Sequence, residues 1–215
     1  MRYAGRVHEQ PQHALPVRRL AVQIGHDGYL AARLDEKRGR NRRLLQAALA
    51  VSPADAYLHY QLGKDCAVYD EHAEAEAAWA RAAELAGEGE QRQPWWLDLV
   101  ARRLYGLKCL KRHAQALDFA DRQMARAAES PDFFFALGDL LLDLAADDPV
   151  QAEALLPMIE QAWTRCLEIG ERPDQAGAVA GRGSHLAAHN LALLLETCGR
   201  ASEAAALRAA HPPPC

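Results

Sequence analysis

The sequence predicts an all-α protein, a row of helical hairpins stacked on one another behind a short non-helical N-terminal arm. Three observations predict it. Of the 215 residues, 50% are hydrophobic but only 7% aromatic, with alanine and leucine dominant, a composition that favours helix. Gly and Pro gather in clusters between apolar periodic segments, where they end helices. A large-small pair recurs at Leu62-Gly63, Leu137-Gly138 and Leu191-Ala192, and small residues are needed where two helix axes come closest.

The stretch from Ala56 to Gly87 shows the pattern most fully, with Ala75, Trp79 and Ala82 following Leu62 and Gly63 as the small, large and small residues of a second helix. This spacing resembles the tetratricopeptide repeat, whose hairpins stack into a right-handed superhelical array. One hairpin leaves an apolar flank uncovered, so it requires neighbours.

Taken in order, residues 1–30 form the arm, with Pro11 and Pro16, a β-favouring run from Leu20 to Ile24, and then Gly25 and Gly28. A strand entering a turn is expected there, like a remnant of a larger domain. Residues 31–51 read as a linking helix with Leu34, Leu44, Leu45, Ala48 and Leu49 on its apolar side. Arg38, Arg40, Arg42 and Arg43 read as a solvated face, and Ser52 and Pro53 as cap and first turn of the next helix.

The first repeat spans about 54–87. Residues 87–94 are a loop by composition. The second repeat, 95–129, is degenerate: Ala116 and Ala120 suit its second helix, but Leu104 stands where a small residue belongs. The third, 131–169, has Phe134 and Leu141 around its large-small pair, a break from Ala145 to Pro149, and Trp163 and Cys166 spaced as Trp79 and Ala82 are. Pro157 predicts a kink or a helix start. Residues 170–184 have loop composition, ending on Ser184 as an N-cap. The final repeat, 184–211, carries Leu195, Gly199 and Ala204, and 212–215 is a tail.

A net charge of -4 gives no basic field, so nucleic acid is not the default partner. No apolar run approaches the roughly 20 residues that cross a bilayer. The opening MRYAGRVHEQPQ lacks the apolar core of a secretory signal, so a cytoplasmic location is expected. The 5 cysteines are odd in number and never form a CxxC pair, against a disulfide framework or a zinc site. Cys66, Cys109, Cys166 and Cys198 read as small buried apolar residues.

Repeat positions turn Tyr57, Tyr60, Lys64, Arg102, Tyr105, Lys108, Phe135, Asp139 and His189 toward a concave groove. Aromatic rings among mixed charges suit an extended peptide or another protein's helix. Chaperone-tail-binding members of the repeat class clamp a terminal carboxylate with Lys, Asn and Arg side chains. Tyr60, Asp132 and Asp139 interrupt such a set. Self-association through an exposed flank is open. Gly181 to Ser184, GRGS, reads as a flexible turn with a cap, since it lacks the lysine and spacing of a phosphate-binding P-loop. The array shows no catalytic constellation and implies no cofactor, and the polar clusters at 8–10 and 26–29 read by composition as structural.

The order GRVHE at 5–9, a strand, HDGY at 26–29 and KRGRNRRLL at 37–45, followed by the repeats, resembles the last part of bacterial family 2 glycosyltransferases that carry a tetratricopeptide tail. CLEIGE at 166–171 and GRGS at 181–184 are similar to segments of the same tails. The resemblance implies that Glu9 corresponds to an acidic residue near the acceptor. It also implies that His26 corresponds to the histidine closing a site for a divalent metal and a sugar nucleotide. The nucleotide-binding half with its Asp-x-Asp motif has no counterpart in this sequence. The favoured expectation is therefore a non-catalytic interaction or assembly scaffold derived from such a tail. The alternative is a transferase portion whose active site is completed by a missing or separate domain.

Overall fold

The protein's structure, a computed structural model, describes residues 2–4, 10–12 and 39–214. Strands β1 (Arg2–Ala4) and β2 (Gln10–Gln12) pair antiparallel with Tyr3 opposite Pro11, so the arm is non-helical where it is described. The strand expected at Leu20 to Ile24 lies outside the described residues, as do Glu9 and His26. The chain divides into two compact units, 1–85 and 86–215.

The first unit holds α1 (Arg40–Val51), α2 (Ala56–Ala67) and α3 (His72–Leu85), with α2 packed between the other two. Gly39, in the left-handed region at φ 79°, precedes α1; the linking helix's expected start near 31 falls outside the described residues. Asp55, rather than Ser52, caps α2: its Oδ1 accepts from the Leu58 amide at 3.0 Å, while Ser52 closes α1. The hairpin core is the expected one. Ala75 and Ala82 are fully buried, and a methyl group on Gly63 would stand 2.3 Å from Trp79 Nε1. That indole donates to the Tyr60 carbonyl at 3.3 Å. Arg42 departs from the solvated-face reading, because its side chain is half-buried and donates to Asp65 at 3.0 Å and to Glu71.

The second unit holds three hairpins: α4 (Trp95–Cys109) with α5 (His113–Gln123), α6 (Pro131–Asp147) with α7 (Pro149–Ile169), and α8 (His185–Thr197) with α9 (Ala201–Ala210). First helices α4 and α6 lie side by side, and α8 packs on α7. The degenerate repeat keeps its volume by reversing the partners. Ala120 stands as far after Leu104 as Trp79 stands after Gly63, and both are buried, so the large side chain sits on the first helix and the small one on the second.

Helix α5 stops at Gln123, and the rest of the repeat to 129 runs in turns, the Met124 and Arg126 amides reaching back only three residues, to the Asp121 and Gln123 carbonyls. Ser130 then caps α6 by accepting from the Phe133 amide at 3.3 Å, with Pro131 in the first turn. Helix α7 starts at Pro149, capped by Asp148, and runs through Pro157. Gly138 repeats the close approach, its added methyl lying 2.5 Å from Trp163 Nε1. Cys66 and Cys166 are buried as expected, but Cys109 is half-buried and Cys198 exposed at the end of α8. Among the described residues, no helix is long and apolar enough to cross a membrane.

Candidate functional site

Helix α4 carries Asp98, Arg102, Tyr105 and Lys108 along one face, and α6 carries Asp132, Phe135, Asp139 and Leu142 along one of its own, both at the three- and four-residue steps of a helix stripe. Lys108 Nζ donates to Asp139 at 3.2 Å and lies 4.8 Å from the centre of the Tyr105 ring. The bond joins the two helices directly. Arg102 Nε reaches both carboxylate oxygens of Asp98, at 2.9 and 2.8 Å. Tyr105 and Leu142 remain 47% and 43% exposed, which leaves apolar surface between ion pairs.

At one end of the α4–α6 pair, Lys111 Nζ bonds Asp143 at 2.8 Å and Asp147 at 3.1 Å, and His113 Nε2 meets Asp143 at 2.7 Å. Burial pushes the Asp143 carboxyl up, but the bonds from Lys111 and His113 outweigh it and hold it below the usual carboxylate range. Ligand atoms of His113, Asp143 and Asp147 lie within 4.8 Å of one another, with the Lys111 ammonium already bridging the two carboxylates.

The connection between α7 and α8 crosses this face. Arg182 Nη1 donates to Asp132 Oδ1 at 2.7 Å, and its guanidinium carbon lies 5.2 Å from the centre of the Phe135 ring. The Val179 amide donates to the same oxygen at 3.3 Å. Burial raises the Asp132 carboxyl above its ordinary range, against the pull of Arg182. Beside it, burial first and the Asp132 charge second push the Cys166 thiol up to about 12.

Of the side chains expected in the groove, Arg102, Tyr105, Lys108, Phe135 and Asp139 thus share the α4–α6 face. Tyr57, Tyr60 and Lys64 belong to the first unit. Tyr60 is 3% exposed, a packing residue rather than a presented one: its ring lies 5.7 Å from that of Tyr57 and beneath the Lys64 ammonium at 5.2 Å. His189 lines a separate cleft of about 400 Å³ with Leu186, Arg208, His211 and Pro213. A third cleft, about 480 Å³ and mostly apolar, runs between α5, α6 and α7 past Leu117, Met124, Phe134, Leu141 and Met158.

Asp98 and Arg182 are not among the residues that repeat position turns toward the groove, and Asp132 enters there only as an interruption of a carboxylate clamp. A signal existed, because a connection of the length of 170–184 is unusual between helices of a stacked array.

GRGS does hold an anion, the chain's own: the Gly181 amide and the Ser184 hydroxyl donate to Glu171 Oε1 at 2.9 and 2.6 Å. Ser184 stands at the N-cap position of α8, yet its side chain makes no capping bond there.

No protein-family model and no curated protein matches the sequence. Solved structures do match. The MamA RS-1 ArsTM double mutant is 15% identical with a TM-score of 0.57, over 81% of this chain and 84% of that one. MamA 41-end from Desulfovibrio magneticus RS-1 is 16% identical with a TM-score of 0.56, over 82% of each chain. YrrB, described as a TPR protein with an unusual peptide-binding site, is 17% identical with a TM-score of 0.53, over 82% of this chain and 75% of that one. The hairpins, their buried small-large crossings and these likenesses establish an all-α tetratricopeptide-repeat fold.

Proposed function

We propose that the chain is a non-catalytic interaction scaffold whose α4–α6 face takes an extended peptide or a helix from a partner protein. The observation that carries this reading is the exposed Tyr105 ring flanked by Arg102 and Lys108, opposite Phe135, Asp139 and Leu142. Such a surface offers an apolar anchor with charges of both signs around it, which suits a protein partner better than a phosphate backbone. YrrB, of the same fold, is described by its peptide-binding site. A cytoplasmic location, no cofactor and self-association through an uncovered flank belong to the same proposal. Tyr105→Ala tests it, since the ring is largely outside the core: partner capture by the full-length chain should fall about tenfold or more with the circular dichroism unchanged. Undiminished capture would refute this face as the site.

The HE and HDGY order at 8–9 and 26–29 supports a second reading, the terminal portion of a family 2 glycosyltransferase with Glu9 near the acceptor and His26 at a metal and sugar-nucleotide site. Binding of a sugar nucleotide with Mn²⁺ to the purified chain, lost in His26→Ala, would favour it over the scaffold.

A further inference from the structure

The segment that joins α7 to α8 is docked along its length. Arg172 and Gln175 donate to the Glu129 carbonyl at 3.2 and 2.7 Å. Gly177 lies so close to α4 that a Cβ there would stand 2.4 Å from the Asp98 carboxylate. Between this strap and Leu97, Asp98, Ser130 and Asp132, only about 10 Å³ of space remains. The Val179 amide and the Arg182 guanidinium both donate to Asp132 Oδ1, and the guanidinium also covers Phe135. The strap is folded into turns, closed by the Gln175, Ala178 and Arg182 amides on the Arg172, Gln175 and Val179 carbonyls, and in that form it binds α4 and α6 as a docked peptide would.

The chemistry beneath it selects a cation. Asp98 and Asp132 have side chains 5% and 9% exposed, and carboxylates so withdrawn from water require paired positive charge. Removing Arg182 takes one cation from this acidic pair. An aromatic face beside a carboxylate favours a planar guanidinium over a compact ammonium. The strap itself, QAGAVAGRG over 175–183, brings alanine and glycine and little else that is apolar, so its grip is mainly polar. A competitor with an arginine between larger apolar side chains would bury more surface on the same site.

We infer that residues 171–183 are an internal stand-in for the partner, with Arg182 holding the place of an arginine in a partner segment that displaces the strap. This rests on the proposed reading of the α4–α6 face as a binding surface. A bound-in-place segment lowers the apparent affinity of its competitor by the fraction of molecules in which the site is open.

The test uses the full chain and three fluorescent peptides of the strap sequence 171–183, one with arginine at position 182, one with lysine there and one with alanine. Arg182→Ala should bind the arginine peptide at least about tenfold more tightly than the unaltered chain does, the lysine peptide more weakly and the alanine peptide least. Asp132→Asn in the same background should abolish the preference for arginine. Should Arg182→Ala lose helical signal, Arg182→Lys carries the comparison, with a smaller gain in the same order of peptides. Equal affinity of the arginine peptide for the unaltered and altered chains overturns the inference. It does so without touching the proposed function, which the Tyr105 variant tests alone.

Discussion

Gly63 and Gly138 each sit beneath an indole, and the fit decides what a single methyl group costs. In Gly63→Ala, the better helix former gains about 1 kcal/mol in propensity. The new Cβ, however, meets a Trp79 ring that is 1% exposed and has nowhere to move; overpacking of this kind costs about 1–3 kcal/mol. The clash wins. Urea unfolding of Gly63→Ala should show a net loss of stability, and Trp79→Leu in the same chain should lose less than the two single changes summed. Additive losses would mean that ring and glycine are not in contact. These positions were legible because a small residue set against a large one at fixed spacing is what a close helix crossing demands and what little else in a helical chain produces. Tyr60 was not: repeat position turns it toward the groove, but its neighbours Tyr57 and Lys64 close over it, and spacing carries no information about which aromatic is covered by its own helix.

Three of the four hairpins turn in the same way. Asp70, Lys111 and Gly199 adopt φ of 57, 56 and 77°, and the next residue's amide returns to the carbonyl of Cys66, Leu107 or Leu195 at 3.2, 2.9 or 2.8 Å. This is the left-handed end of a helix that satisfies its last carbonyls. Only one of the three residues is glycine, so the strain is unequal. Asp70→Gly should raise the melting temperature of the first unit by relieving up to about 1 kcal/mol, and Gly199→Ala should lower stability by about 1 kcal/mol. Calorimetry showing no change in either variant would rule out backbone strain at these turns. Gly199 could be read from the sequence, whereas Asp70 and Lys111 could not, since nothing in an aspartate or a lysine announces a left-handed backbone. The fourth hairpin replaces the device with Asp148 and Pro149, which are visible as a break because proline cannot continue the preceding helix.

Among the described residues each compact unit buries one cysteine, Cys66 in the first and Cys166 in the second, while Cys198 is exposed. Burial raises the two buried thiols to about 11 and about 12, and the thiolate is the reacting species. Alkylation of the native chain at pH 8, mapped by mass spectrometry, should therefore modify Cys198 before Cys66 and Cys166, which react only through opening of their units. Labelling of Cys66 as fast as Cys198 would show that the first unit is not closed over its core. The two buried thiols then report the stability of each unit separately within one molecule. The boundary between the units falls after Leu85, just ahead of the Gly- and Glu-rich run at 87–94, which is legible as a loop because its residues neither pack nor continue a helix.

Gly183 approaches Gly170 so closely that a Cβ on it would lie 2.2 Å from the Gly170 carbonyl oxygen. The segment that covers the α4–α6 face therefore leaves and rejoins the helices at nearly one point. A loop whose ends meet can be exchanged as a cassette, since the two helices it joins do not register what is spliced between them. Randomised inserts grafted in place of 171–182 and displayed as a library would turn this surface into an engineered recognition scaffold, the foreign peptide held across α4 and α6 by its own tether.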